Sequence, residues 1–171
     1  MSGDSEIISG KWWEIGRISP GERERATPAG SAPNFLDHRV AKMNKEIDEK
    51  VNQLTHEIIG AAIEVHRGIG PGFLETVYEE ALCHELKLRN IPYLRQLPIK
   101  LKYKDIYVGE NRVDLFVKQM VVVELKSVDE LGPIHLAQVI SYLKATHTNL
   151  GLLINFNVPI LRQGIKRVIS T

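Results

Sequence analysis

The chain has 171 residues, 43% hydrophobic and 25% charged, with a formal net charge of +1. That is enough for one domain with a sizeable core and too little for two ordinary domains. It also excludes a protein that coats nucleic acid through global charge, so any nucleic-acid contact has to be local.

Cys83 is the single cysteine, which excludes an internal disulfide and a thiolate zinc cluster. Asp4, Glu6, Lys11, Glu14, Arg17, Glu22 and Arg23 leave no apolar segment for a signal peptide. No stretch approaches a membrane span, so a cytoplasmic location is expected.

Residues 1–42 hold Gly, Ser, Pro and mixed charge without apolar periodicity. The runs Ser19-Pro20-Gly21 and Thr27-Pro28-Ala29-Gly30-Ser31-Ala32-Pro33 are loop punctuation. This segment reads as a flexible extension, with Trp12 and Trp13 available to pin it to a surface and Met43 as an alternative start. The domain proper is assigned to residues 43–171.

From Asp48 the pattern is helical, with Leu54, Ile58, Ala61, Ala62 and Val65 on one face. Gly68-Ile69-Gly70-Pro71-Gly72 ends that helix. It lacks the Gly-Lys-Ser/Thr ending of a phosphate-binding loop, so it reads as an interhelical turn. A second helix is predicted over 74–88. Period-two alternation then gives a strand through Leu97, Ile99, Leu101 and Tyr103, with a turn at Lys104-Asp105. Strands follow at 106–108, 112–117 and 120–126, then a helix at 133–146 and a strand at 151–156. A last element at 164–169 is of open type. The order is that of a mixed α/β layer protein.

Asp114 and Glu124 each sit inside an apolar strand, where an unpaired carboxylate costs several kcal/mol. Glu124 and Lys126 are two apart and share a face. A hairpin centred on Gln119 sets Asp114 opposite Glu124. Two carboxylates offer hard oxygen ligands to Mg²⁺ or Mn²⁺, which acidifies water and neutralises phosphoryl charge. The lysine is placed to hold that water or to stabilise the developing charge. A self-contained buried ion pair would use the same residues. Gln138 and Tyr142, four apart, face one way on the next helix. Glu75 opens the second helix, where an acid also suits the helix dipole. His56 and His66 read as surface or packing residues, and His135 lies three before Gln138.

Gly72-Phe73-Leu74-Glu75-Thr76-Val77-Tyr78 is a full Gly-x-x-Glu-x-x-Tyr motif. It follows Ile58-Ile59-Gly60-Ala61-Ala62-Ile63-Glu64-Val65-His66. It precedes Val123-Glu124-Leu125-Lys126 and Gly151-Leu152-Leu153-Ile154-Asn155-Phe156. Over about residues 50–170 the chain resembles the GxxExxY family, a branch of the PD-(D/E)XK nuclease superfamily. The resemblance implies a restriction-endonuclease-like core, a mixed central sheet flanked by helices. It implies a metal-dependent nuclease acting on DNA ahead of RNA, with Asp114, Glu124 and Lys126 as the motif residues. Glu75 matches a glutamate that lies beside the metal, and Gln138 and Tyr142 match a Gln-x-x-x-Tyr element. Val113 stands where the motif's name has proline, which the chemistry does not require. The alternative is a catalytically silent nucleic-acid- or protein-binding module. A homodimer is left open.

A local basic patch supports the nucleic-acid reading. Residues 84–104 carry Lys87, Arg89, Arg95, Lys100, Lys102 and Lys104 against one acid, Glu85. Lys100, Lys102 and Lys104 are the candidate contacts, and a solvated strand face is the plain alternative.

Overall fold

The spacing of Leu54, Ile58, Ala61, Ala62 and Val65 does produce one buried helical face. A computed structural model describes residues 35–170, so most of the segment read as an extension, with Trp12 and Trp13, lies outside the described residues. Helix α1 spans Phe35–Ile69. It is followed by α2 (Glu75–Leu88), β1 (Tyr93–Tyr103), β2 (Ile106–Val117), β3 (Val121–Lys126), α3 (Pro133–Thr146), β4 (Leu150–Asn155), a 3-10 turn at Leu161–Gly164 and β5 (Ile165–Ile169). The chain divides between Val40 and Ala41 into two units, and the second, Ala41–Thr171, carries the sheet. Among the described residues no helix is long and apolar enough to cross a membrane.

The helix read from Asp48 therefore starts earlier. Residues 39–50 are exposed throughout, so no buried stripe announces them. Lys42–Glu46 and Lys45–Glu49 pair across one turn at 4.0 Å, which adds only a few tenths of a kcal/mol each at such exposed sites. Residues 106–108 and 112–117, read as two strands, are one strand, because Gly109, Glu110 and Asn111 continue the ladder opposite Leu101, Lys100 and Ile99. The last element, left open in type, is a strand antiparallel to β4.

The sheet order is β1-β2-β3-β4-β5. Only β3 and β4 pair in parallel, and α3 makes the crossover that a parallel pair needs. Alternation along the central strands divides the core in two. Leu115, Val117, Val121, Val123, Leu125, Leu152 and Ile154 pack with α1 and α2. Val113, Phe116, Val122 and Leu153 pack with Val139, Tyr142 and Leu143 of α3. This is the mixed sheet flanked by helices expected from the sequence.

Gly164 closes the turn before β5. A Cβ there would lie 2.2 Å from the backbone oxygen of Asn155, which cannot swing aside as a flexible side chain can. Gly164→Ala is expected to cost about 1–3 kcal/mol through forced backbone movement. Thermal melting of the variant beside the parent checks this, and an unchanged melting temperature would show that the turn yields freely.

Candidate active site

Three local devices build the site. The first is the β2–β3 hairpin. Val117 pairs with Val121, Phe116 with Val122 and Leu115 with Val123, the register of a turn centred on Gln119. Lys118 and Gln119 take positive φ in that turn. The next residues along the two strands are Asp114 and Glu124. Here the backbone ladder gives way to a side chain: Asp114 Oδ2 accepts the Leu125 N–H at 2.8 Å. That hydrogen bond holds the Asp114 carboxylate against the β3 backbone between Glu124 and Lys126.

The second device is the glycine-rich turn. Gly70 and Gly72 adopt φ of +73° and +98°, conformations that favour glycine. The Tyr78 hydroxyl donates to Gly70 O at 2.8 Å and accepts from Phe73 N–H at 3.1 Å. Its ring stacks on Phe156 at 4.4 Å. In Gly-x-x-Glu-x-x-Tyr the tyrosine thus clamps the turn one helical turn beyond Glu75 and fixes where that acid begins α2.

The third device is the end of β4. Asn155, 2% exposed, accepts Val128 N–H and donates to Val128 O, while Phe156 N–H donates to Lys126 O. The backbone around Lys126 is fixed on both sides.

The electrostatics follow from this placement. Lys126 Nζ donates to Glu124 Oε1 at 2.6 Å. The other oxygen, Glu124 Oε2, is buried without a hydrogen-bond partner among the described residues. Burial, and then the charge of Asp114, push the Glu124 carboxyl up to about 7 although Lys126 pulls the other way. Burial also raises Asp114 and Glu75, and each of these acids feels Lys126 as an opposing charge. Burial alone would lower Lys126, but its hydrogen bond to Glu124 and the surrounding carboxylates outweigh it and raise the ammonium. The ammonium is held on while burial makes each of the anions costly.

Tyr142, 2% exposed, covers this face of the sheet from α3 and accepts a hydrogen bond from Gln138 Nε2 at 2.9 Å. Burial raises its hydroxyl, and the charges of Glu124, Asp114 and Lys126 reach it. All six expected site residues therefore fall in one coupled cluster. Lys100, Lys102 and Lys104 do not join it, since they are exposed on β1 and its turn. His66 packs against Phe156 and bonds Val158 O, and His56 is exposed, as read. His135 accepts the Gly132 N–H at 3.0 Å, which is a cap on α3.

With the two acids, the lysine and the overlying tyrosine on one patch, a match by the family model for the PD-(D/E)XK nuclease superfamily over residues 52–168 takes in every one of them. The chain belongs to the PD-(D/E)XK nuclease superfamily. Comparison with curated proteins and with solved structures finds no match. Glu124-Leu125-Lys126 has the acid-x-Lys spacing of the superfamily's name and lies on β3, the middle strand of the sheet.

Two residues of this cluster escape a reading of the sequence. Gln96 Nε2 donates to Glu79 Oε2 at 2.8 Å and to Asp114 Oδ1 at 3.2 Å. Its backbone takes φ +51°, uncommon for a residue other than glycine. Glu79 is 5% exposed and also pairs with Arg95. Its spacing of four from Glu75 was the available signal, since it sets both acids on one face of α2. Gln96 had none.

Among the described residues no group of three or more His, Cys, Asp or Glu is arranged to hold a metal ion. The centre offers a pair of carboxylates, one with an unpartnered buried oxygen. That suits an ion such as Mg²⁺, which commonly takes one or two carboxylates and completes its shell with water and phosphate. A mostly apolar concavity lined by Val51, Met120, Leu150 and Ile169 lies at the other end of β3 and β4, away from this chemistry.

Proposed function

We propose that the chain is a divalent-metal-dependent nuclease of the GxxExxY branch that hydrolyses phosphodiester bonds in DNA, in the cytoplasm. The observation that carries this reading is the orphaned Glu124 Oε2 beside Asp114. A carboxylate kept only for an ion pair would have both oxygens satisfied, because leaving one buried and bare costs free energy. A cation taking that oxygen removes the cost.

Asp114 and Glu124 would hold Mg²⁺ or Mn²⁺, while Glu75, expected from the sequence as a third ligand, is not grouped with them for a metal and would act on the site through its charge. The metal would supply Lewis-acid polarisation of the phosphate and acidify the attacking water. The chain's own residues do the rest. The Leu125 N–H and Gln96 keep Asp114 turned toward the centre. Lys126, held protonated, orients the water as its oxygen attacks phosphorus and stabilises the charge gathering on the phosphoryl oxygens. Tyr142, set by Gln138, keeps bulk water off that face. Lys100, Lys102 and Lys104 contact phosphates outside the reacting bond.

The 2.6 Å Lys126–Glu124 contact also supports a second reading, a silent binding module whose ion pair satisfies itself. The test is a cleavage screen on single-stranded, duplex, branched and RNA substrates with Mg²⁺ and Mn²⁺, beside thermal melting. The nuclease reading expects metal-dependent cleavage and a melting temperature that climbs with metal concentration, since a ligand bound only by the native state stabilises it. Absence of both effects would favour the silent module.

A further inference from the structure

The outer part of the β1–β2 hairpin is not built to be covered by this chain. Residues 100–108 are exposed on both faces of the ribbon, whereas a sheet that packs on a core hides at least one. Leu101, Tyr103, Ile106, Tyr107 and Val108 are 42–63% exposed. Exposed apolar side chains this dense on a short ribbon mark a contact surface. Lys100, Lys102 and Lys104 make no ion pair among the described residues, and Lys104 Nζ stands 5.5 Å from the centre of the Tyr103 ring. Residues 100–112 hold four basic and two acidic side chains, on a chain whose total formal charge is only +1. Val108 is an extra residue in the ladder, where Leu101 pairs with Gly109 and Lys102 with Tyr107. Such a bulge increases the local twist.

We propose that this hairpin is an arm that lies along duplex DNA and measures the substrate on one side of the scissile phosphate. The inference rests on the nuclease reading and adds to it a substrate form and a length. The basic excess selects a polyanion over another protein. A two-stranded ribbon fits the major groove of a duplex, where Tyr103, Ile106, Tyr107 and Val108 meet sugars and base methyls while the lysines meet phosphates. The root of the arm is the reaction centre itself, since Gln96 is on β1 and Asp114 on β2. The turn at Lys104 and Asp105 lies eight residues beyond Gln96 on β1 and nine before Asp114 on β2, the strand that carries the bulge. At about 3.3 Å per residue the arm reaches roughly 26 Å, or about eight base pairs at roughly 3.4 Å each.

The test uses the full chain in EDTA and fluorescein-labelled DNA duplexes of graded length, read by anisotropy. Wild-type affinity is expected to step up once the duplex exceeds about eight base pairs. The K100A/K102A/K104A variant should lose that step, bind a long duplex at least tenfold more weakly, and show a salt dependence shallower by about 2–3 in log–log slope, near 0.9 per lost phosphate contact. All three side chains are exposed, so circular dichroism should show an unchanged fold. If wild type and variant both cleave but bind the long duplex with equal affinity and slope, the arm is overturned and the nuclease reading stands. An Ile106→Glu variant that changes the oligomeric state without changing DNA affinity would also overturn it, in favour of a protein contact. If the wild type neither binds nor cleaves any nucleic acid, the nuclease reading falls and takes the arm with it.

Discussion

Glu124→Gln is expected to abolish metal-dependent cleavage and, without metal, to leave a fold at least as stable as the parent above neutral pH. The two effects share one cause. Glu124 is 2% exposed, and its carboxyl is pushed to about 7 by burial and by Asp114. Because the folded value is above the ordinary 4.5, the folded state binds the proton more tightly than the unfolded chain does. The stability this gives is fully present below about 4.5 and is lost as pH rises through about 7. Above neutrality the ionised carboxylate is therefore a burden, on the order of 3 kcal/mol. Asp114 and Glu75 are raised as well and act in the same direction. Lys126 is also raised, but its contribution is lost only at strongly alkaline pH. The amide of glutamine carries no charge, so the metal-free variant should show a flatter fall in melting temperature between pH 5 and 8. The gain is smaller than the full burden, because the amide brings donors that find no partner. Added Mg²⁺ should stabilise the parent more as pH rises, since binding releases the proton that Glu124 holds, and should do little for the variant. Wild-type cleavage by purified Glu124→Gln would sink the assignment of this site.

What the sequence disclosed of this centre was what lies on short-range patterns. Alternation fixed the faces of Glu124 and Lys126, and two apolar strands placed symmetrically about Gln119 gave the hairpin register. The Gly-x-x-Glu-x-x-Tyr run stated its residues, but not that Tyr78 serves as the clamp on the turn. Features that depend on distant partners stayed hidden. Gln96 reaches across 18 residues to Asp114, and its positive φ leaves no trace in composition. The start of α1 was missed because an exposed helix has no apolar stripe to read. Gly109 to Asn111 read as a break because glycine and polar residues usually interrupt a strand, yet in an arm exposed on both faces they interrupt nothing.

Lys126→Ala should separate holding the ion from using it. The lysine is not a ligand for a cation, so calorimetric titration should still find metal binding through Asp114 and Glu124. Single-turnover cleavage at saturating metal should fall roughly a hundredfold or more, the usual cost of removing one preorganised electrostatic group. The variant also has a signature in pH. Without the ammonium, Glu124 Oε1 loses its 2.6 Å partner and both oxygens stand bare in a buried site. The carboxyl then rises further above its ordinary range, so metal affinity should weaken more steeply toward acid pH than in the parent. Lys126→Arg is not expected to restore the rate, because the planar guanidinium cannot take the place of a compact ammonium that is 13% exposed beside Glu124. A Lys126→Ala protein that binds metal and cleaves at the parental rate would remove the lysine from the chemistry and reduce it to the counter-charge of Glu124. A protein that loses metal binding along with cleavage would show instead that the ammonium is needed to organise the two carboxylates.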